Sequence, residues 1–435
     1  MLFLSLVPKS EQYLYKQINQ PVDGFEIRWD YPTTISPEWI RNLTTKPLIF
    51  TIRTKCQGGH AETVTWPMLE RLLQAQPDYI DLEYNWPLAW FKKIKTNYPG
   101  IKIINSLHDW SGPPKKLPKF KIADIIKVAA YCHNALDGLK ILAMRINKPF
   151  ILIGMGPYAQ FTRIMAKALG SKIAYVSCGD NSTAPGQLTL AEMLTYRYYE
   201  INSETKFYAL IGNPVEHSIG HHFHNNYFKT HSINACYLKI IIDNKDLSAW
   251  LKAAKQFSFQ GFSITMPLKK TTYHQLGSQD NSPSVNTLTR VANTWQGFNT
   301  DAAGAWNALL VKPKTALIFG AGGAGEAIAN YLTNKGVHVR IYNRSHKINT
   351  ITFDSVTQFP TADLIINTLP TISAHILDKI HRPFNYKYLD IVYNKSAFTN
   401  WAHKKNLEII TGLEMFHQQA ILQQQLWSSV SIKSI

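Results

Sequence analysis

The sequence predicts an α/β protein: an N-terminal (β/α)8 barrel, then a second α/β region that ends in a Rossmann lobe. Three observations predict it. Residues 1–200 hold eight short, β-rich apolar runs that alternate with helical or loop segments. Further on, an apolar strand pattern runs directly into Gly320-x-Gly322-x-x-Gly325 and a helix-forming stretch. Finally, 435 residues exceed one ordinary domain and suffice for two or three cores.

Composition narrows the class. An apolar share of 45% against 17% charged residues excludes wholesale disorder. No apolar run approaches the ~18–20 residues of a membrane span. The opening MLFLSLV lacks a basic flank and meets Pro8 and Lys9 at once, so it reads as a first strand and not a signal peptide. Cys56, Cys132, Cys178 and Cys236 lie far apart without paired spacing, which fits a reducing cytoplasm and no cysteine metal site. Lys and Arg number 46 against 29 Asp and Glu, a net charge of +17. The basic residues are dispersed, and the densest patch, Pro113–Lys121, is broken by prolines. Small anionic substrates therefore suit the charge better than nucleic acid or a membrane. The oligomeric state stays open.

The eight runs are Leu2–Val7, Gly24–Trp29, Leu48–Arg53, Tyr79–Tyr84, Ile101–His108, Ala123–Ala130, Phe150–Met155 and Lys172–Ser177. The stretch after Trp110 is proline-rich and too short for a good helix, so one crossover is expected to be degenerate. Barrel active sites sit at the C-terminal strand ends, and Glu26, Arg28, Arg53, Glu83, His108 and Lys127 all fall there. Taken singly, each could be an ion pair or a solvated charge, and Lys127 could snorkel to the rim. Taken together they suggest chemistry. A desolvated lysine amine can attack a ketone to form a Schiff base. A histidine can then move the proton of the adjacent carbon, while arginines hold a carboxylate.

The stretches EIRWD (Glu26–Asp30), FTIRTKCQGG (Phe50–Gly59), IDLEY (Ile80–Tyr84), INSLHDW (Ile104–Trp110), ADIIKVA (Ala123–Ala129) and STAPGQ (Ser182–Gln187) resemble, in order, the type I 3-dehydroquinate dehydratase family. The resemblance implies Lys127 as the Schiff-base lysine and His108 as general acid/base. It places Glu26, Arg28, Arg53 and Arg163 at the substrate, with Thr183 and Gln187 on a closing loop. The family's histidine-orienting glutamate is Gln57 here, and its serine is Thr183.

After a short linker at Ile201–Lys206, a new strand opens with FYALIGNP. In the later glycine turn, Gly320, Ala321, Gly322, Gly323, Ala324 and Gly325 would let a pyrophosphate approach a helix N-terminus. Asn343, Arg344 and Ser345 end the next strand pattern. An arginine there suits a 2′-phosphate, so NADP is expected over NAD.

The motifs IGNPVEHS (Ile211–Ser218), GFSITMPLK (Gly261–Lys269), SVNTL (Ser284–Leu288) and GFNTD (Gly297–Asp301), with the glycine turn, resemble the shikimate dehydrogenase family from about residue 206 onward. The resemblance implies Lys269 and Asp301 as a catalytic pair. It places Ser218, Gly220, Thr265, Asn286 and Gln419 at the substrate, and Tyr393 and Gly412 near nicotinamide and substrate. Gly220 replaces a carboxylate-binding serine, Ser263 an asparagine, and Lys395 a proline. The implied layout is a barrel over 1–201, a substrate lobe over 206–310, a Rossmann lobe over 311–410 and a returning helix over 411–435. The implied function is dehydration of 3-dehydroquinate followed by NADPH-dependent reduction to shikimate. The alternative is a quinate/shikimate dehydrogenase with a weak or non-catalytic barrel. His217, His221 and His224 could share a helix face, but no metal is expected because no acidic ligand is interleaved. The glutamines of the last helix, Gln419 apart, read as a mostly solvated face.

Overall fold

A computed structural model describes residues 1–144, 146–179, 182–280, 282–380, 387–392 and 396–433. The chain forms two compact units, Met1–Phe207 with Tyr227–Ile242 and Ala249–Ser258, and Tyr208–Asn226 with Asp243–Ser248 and Phe259–Ile435.

Strands β1 (Leu2–Leu6), β2 (Gly24–Arg28), β3 (Leu48–Thr51), β4 (Tyr79–Glu83), β5 (Lys102–Asp109), β6 (Ile125–Tyr131), β7 (Phe150–Met155) and β8 (Ala174–Val176) make one parallel eight-stranded sheet in the first unit. Its order, β7-β6-β5-β4-β3-β2-β1-β8, is that of a nearly closed barrel. Every predicted run supplies one strand. Helices α1 (Glu11–Gln17), α2 (Pro37–Leu43), α3 (Trp66–Gln74), α4 (Leu88–Asn97), α5 (Ala135–Leu142), α6 (Thr162–Ala168) and α7 (Leu190–Thr195) fill the crossovers. Ser10, Ser36 and Asn134 cap their helices with a side-chain oxygen, and Thr189 forms a capping box with Glu192. Between Asp109 and Ile125 no helix is formed, as the prolines predict.

Strand alternation sorts the barrel interior into layers. Phe3, Ile49, Tyr79, Ile104, Ile125, Ile151 and Ile173 build an apolar floor. Two and four residues further along, the same faces turn polar: Ser5, Glu26 and Arg28, Thr51 and Arg53, Asp81 and Glu83, Ser106 and His108, and Lys127. Register makes the layer continuous, since Thr51 pairs with Asp81, Glu83 with Ser106, and Ser106 with Lys127.

The chain continues through β9 (Lys206–Gly212), α8 (Gly220–Thr230), β10 (Ala235–Ile241) and α9 (Leu247–Ala254). In the second unit β9 neighbours β11 (Phe259–Ile264), which is antiparallel to β12 (Thr287–Val291) and that to β13 (Thr294–Phe298). Between β11 and β12 lies α10 (Leu268–Leu276), and α11 (Thr300–Ala308) follows β13. The remainder is β14 (Thr315–Phe319), α12 (Gly323–Asn334), β15 (His338–Asn343), β16 (Ile351–Thr352), β17 (Leu364–Asn367), α13 (Ala374–Asp378), β18 (Lys387–Asp390), α14 (Ala397–Lys404), β19 (Ile409–Ile410) and α15 (Gly412–Lys433). Its parallel sheet has the order β16-β15-β14-β17-β18-β19, the doubly wound 3-2-1-4-5-6 arrangement. Apolar clusters cover both faces, one around Ile318, Ile328 and Leu364, the other around Phe319, Tyr388 and Phe398. From α15, Trp427 packs over Gly261, where a Cβ would come within 2.3 Å of the indole, and donates to the Leu288 carbonyl at 3.1 Å.

Candidate functional site

The polar layer of the barrel opens into a cavity of about 60 Å³. Glu26, Arg28, Arg53, Gln57, His108, Lys127, Arg163, Thr183 and Gln187 all line it, so of the residues singled out in the barrel sequence all but Glu83 converge on one cavity. Lys127 is 4% exposed. Its Nζ lies 3.0 Å from Asp81 Oδ2, 3.8 Å from Glu26 Oε1 and 4.3 Å from the centre of the Tyr175 ring. This buried contact replaces the alternative in which the amine snorkels to the rim.

Asp81 was not singled out, yet it is the hub. Its Oδ1 forms an ion pair with Arg53 Nη2 at 2.7 Å and accepts from the Ser106 hydroxyl at 2.5 Å. Burial alone would raise its pKa, but the Arg53 and Lys127 charges outweigh burial and hold the carboxyl well below the usual range. Strand parity carried the signal: Asp81 and Glu83 occupy alternate positions of one strand, and only Glu83 sits at the strand end. Glu83 is itself turned to structure, accepting from Thr54 N–H at 2.8 Å and Thr54 Oγ1 at 2.7 Å. Glu26 accepts from Ser5 at 2.6 Å and Thr51 at 3.0 Å.

The closing loop is tied down from three sides. Arg28, held by both oxygens of Asp30, donates to the Thr183 carbonyl at 3.2 Å. Gln187 accepts from the Thr183 N–H at 2.8 Å and donates to Ser5 at 3.2 Å. Arg163 donates to the Pro185 carbonyl at 3.2 Å. Arg163 is 4% exposed, its Nε has no hydrogen-bond partner, and among the described residues no carboxylate pairs with it. Burial lowers its pKa to about 10, with Cys132 working the other way.

His108 departs from expectation in its partner. Gln57 Oε1 accepts from the His108 backbone N–H at 2.7 Å, not from the ring, and the buried ring Nδ1 has no partner. Burial, then the charges of Arg53 and Lys127, push the imidazole well below its ordinary pKa, with Asp81 acting against them. The ring is therefore neutral and can accept a proton.

In the second unit Lys269 Nζ and Asp301 Oδ2 are 2.5 Å apart, joining α10 to the first turn of α11. The GFNTD stretch is also a helix cap: Asn299 Oδ1 accepts from the Asp301 N–H at 3.0 Å. Behind the pair, Asn286 Oδ1 accepts from the Thr300 N–H at 2.8 Å, while its Nδ2 reaches Thr300 Oγ1 at 3.0 Å and Gln419 Oε1 at 3.5 Å. Ser218 Oγ is turned to the Gly220 N–H at 3.1 Å, and Thr265 N–H bonds the Ile211 carbonyl at 3.0 Å. Gly412 opens α15, where a Cβ would meet the Ile391 backbone at 2.9 Å. Tyr393, with Asn394 and Lys395, lies outside the described residues.

The glycine turn has a shape suited to a dinucleotide. Gly320 has φ +108°, and at Gly325 a Cβ would lie 2.2 Å from the Gly320 carbonyl oxygen, so neither tolerates a side chain. A Cβ at Gly322 would meet nothing within 4 Å, leaving the N-terminus of α12 open to a phosphate. Ala321, Gly323 and Ala324 complete the turn. Asn343 is buried and donates to the Ser345 carbonyl at 3.0 Å. Arg344 is exposed and donates to Thr371 Oγ1 at 2.8 Å. Lys347, not singled out, donates to the Ala321 carbonyl at 2.5 Å.

Among the described residues no group of three His, Cys, Asp or Glu side chains could hold a metal; His217 is exposed, whereas His221 and His224 are buried. The His222 ring lies tilted against that of His221, with centroids 4.0 Å apart, and His224 Nδ1 lies 2.7 Å from Gln424 Nε2. One expectation is corrected: the glutamines of α15 are not mostly solvated, since Gln423 and Gln424 are 2% and 1% exposed where one face of α15 sits against β11 and β12.

Comparison with known proteins gives matches to both units. Residues 3–203 match the model for type I 3-dehydroquinase, and residues 210–288 that for the shikimate dehydrogenase substrate binding domain. The shikimate biosynthesis protein AroDE of Chlamydia muridarum is 30% identical over 93% of this chain and 88% of its own. Shikimate dehydrogenase (NADP(+)) of Pyrococcus furiosus is 34% identical over 52% of this chain and 92% of its own. Among solved structures, shikimate 5-dehydrogenase of Thermus thermophilus in complex with NADP(H) and shikimate aligns over 52% of this chain and 94% of that one, at 27% identity and a TM-score of 0.47.

Proposed function

The chain belongs to the family of the shikimate biosynthesis proteins AroDE, and from that premise we propose how its residues carry out two consecutive reactions. It is a bifunctional enzyme, a 3-dehydroquinate dehydratase and an NADP-dependent shikimate dehydrogenase. The reading with a non-catalytic barrel is not favoured: a buried amine, a neutral imidazole and an uncompensated guanidinium in one cavity would have no purpose in a scaffold.

In the barrel, the substrate carboxylate pairs with Arg163, the one buried cation among these residues left without a carboxylate. The Lys127 amine adds to the ring ketone and water departs, leaving an imine. Protonated, the imine draws electrons from the adjacent carbon, whose proton passes to His108. The resulting enamine expels the neighbouring hydroxyl, which takes the proton from His108 and leaves as water. Hydrolysis of the imine then frees 3-dehydroshikimate and Lys127. Arg53 and Asp81 keep the cavity close to neutral around the amine, and Thr183 and Gln187 close it against solvent.

In the second unit Asn286, Gln419, Thr265 and Ser218 hold 3-dehydroshikimate, and Gly220 widens the carboxylate end of that pocket. When bound, NADPH supplies the hydride. Lys269 donates a hydrogen bond and then a proton to the developing alkoxide, and Asp301 keeps the ammonium aimed. The glycine turn from Gly320 to Gly325 would hold the pyrophosphate, and Asn343, Arg344 and Ser345 would hold the adenosine ribose and its 2′-phosphate. We place the domain boundaries near residues 206, 310 and 410, and the protein in the cytoplasm, where its free thiols stay reduced.

The observation that carries the reading is Lys127, an amine at 4% exposure that shares one cavity with Arg163, which among the described residues has no carboxylate partner. Borohydride added with 3-dehydroquinate should leave a reduced adduct on Lys127 by peptide mass spectrometry and inactivate the dehydratase. Lys127→Ala should take no adduct and lose the dehydratase. A fully active Lys127→Ala enzyme would sink the mechanism.

A further inference from the structure

We infer that Gln423 is a positioning residue of the reductase site, setting the orientation of the Asn286 amide from the C-terminal helix. The inference rests on the reading of Asn286 and Gln419 as substrate-binding groups.

Gln423 is 2% exposed and follows Gln419 by four residues, so both project from one face of α15. Each end of its amide is committed. The oxygen accepts from the Ser263 hydroxyl at 3.0 Å, which directs the nitrogen the other way. That nitrogen donates to Thr287 Oγ1 at 3.0 Å and faces the Asn286 carbonyl at 3.5 Å. A hydroxyl that accepts on one side turns its hydrogen to the other. Thr287 Oγ1 accordingly donates to Asn286 Oδ1 at 2.7 Å.

A directed chain thus runs Ser263 to Gln423 to Thr287 to Asn286. Its end result concerns which end of the Asn286 amide faces substrate. With Oδ1 held by Thr287 and by the Thr300 N–H, one Nδ2 hydrogen goes to Thr300 Oγ1 at 3.0 Å, and the other, whose contact with Gln419 Oε1 is a long 3.5 Å, is turned toward a ligand oxygen. Without Gln423, Thr287 can rotate its hydrogen away, and a flipped Asn286 would present an oxygen to an oxygen. Ser263 stands where the resembled family has asparagine, so the first donor in this chain is a hydroxyl.

The test uses the full-length enzyme with 3-dehydroshikimate and NADPH. Gln423→Leu keeps the volume and removes both hydrogen bonds. It should raise KM for 3-dehydroshikimate about tenfold while kcat stays within about threefold and KM for NADPH is unchanged. Ser263→Ala should raise the same KM, and the double variant should be no worse than Gln423→Leu alone, since both break one chain. An unchanged KM for 3-dehydroshikimate in Gln423→Leu would overturn the inference. So would parallel rises in both KM values with a lowered Tm, the signature of a merely structural residue. Asn286→Ala separates the two layers of argument. If it raises KM and Gln423→Leu does not, the positioning role alone fails; if it too leaves KM unchanged, the substrate-site reading fails with it.

Discussion

At position 57 an amide stands where the resembled dehydratases carry a carboxylate, and its oxygen is 2.7 Å from the backbone N–H of His108. The imidazole beside it is already held below its ordinary pKa by burial and by Arg53 and Lys127. Gln57→Glu would keep the acceptor and add a negative charge close to the ring, stabilising the imidazolium. The acid limb of the dehydratase profile, where His108 must be neutral to accept a proton, should therefore move to higher pH. Measuring kcat/KM on 3-dehydroquinate from pH 4.5 to 9 in both proteins checks this; superimposable profiles would show that residue 57 does not govern the base. His108, Lys127, Arg28 and Arg53 were legible because each lay at or near the end of a β-rich run, whereas Arg163, on α6, was legible only through the family resemblance. Asp81 and Tyr175 were not, since a carboxylate and a phenol one step inside a strand look like any half-buried pair until neighbouring strands supply Lys127.

Strands and turns were the most readable elements, because period-two apolar runs and glycine punctuation are local properties. The last helix was misread for a non-local reason: four glutamines within seven residues look solvated, yet Gln419, Gln423 and Gln424 find hydroxyl, amide and imidazole partners on β11, β12, α8 and α11. One consequence is thermodynamic. Burial between α8 and α15 lowers the pKa of His224 to about 3 from an ordinary 6.5. The unfolded chain then takes up this proton first, so stability is fully present above pH 6.5 and falls as pH drops from there toward 3. Between pH 7 and 5 this one group should cost about 2 kcal/mol. His224→Gln removes the titration, so in urea unfolding its loss of stability over that interval should be smaller than that of the unmodified enzyme by this amount. Equal losses would mean that His224 is not held neutral in the fold.

For the molecule as a whole, the excess of 46 basic over 29 acidic residues suits two anionic substrates and a phosphorylated cofactor. More telling is the origin of each site. Glu26, Arg53, Asp81, His108, Lys127, Arg163 and Gln187 all come from the first compact unit, whereas Lys269, Asn286, Asp301, Gln419 and the glycine turn all come from the second. Among the described residues neither of these groups takes a side chain from the other unit, so an injury to one should leave the other complete. Full-length Lys127→Ala should fail on 3-dehydroquinate but reduce added 3-dehydroshikimate at the unmodified rate. Full-length Asp301→Asn should dehydrate 3-dehydroquinate normally while its reductase loses roughly a hundredfold or more. An equimolar mixture of the two variants should then convert 3-dehydroquinate to shikimate, with a lag while 3-dehydroshikimate accumulates in solution. Monitoring NADPH consumption reads both the flux and the lag. A mixture that stays inactive, although each variant retains its own half-reaction, would show that the intermediate made by one chain is not accepted by another.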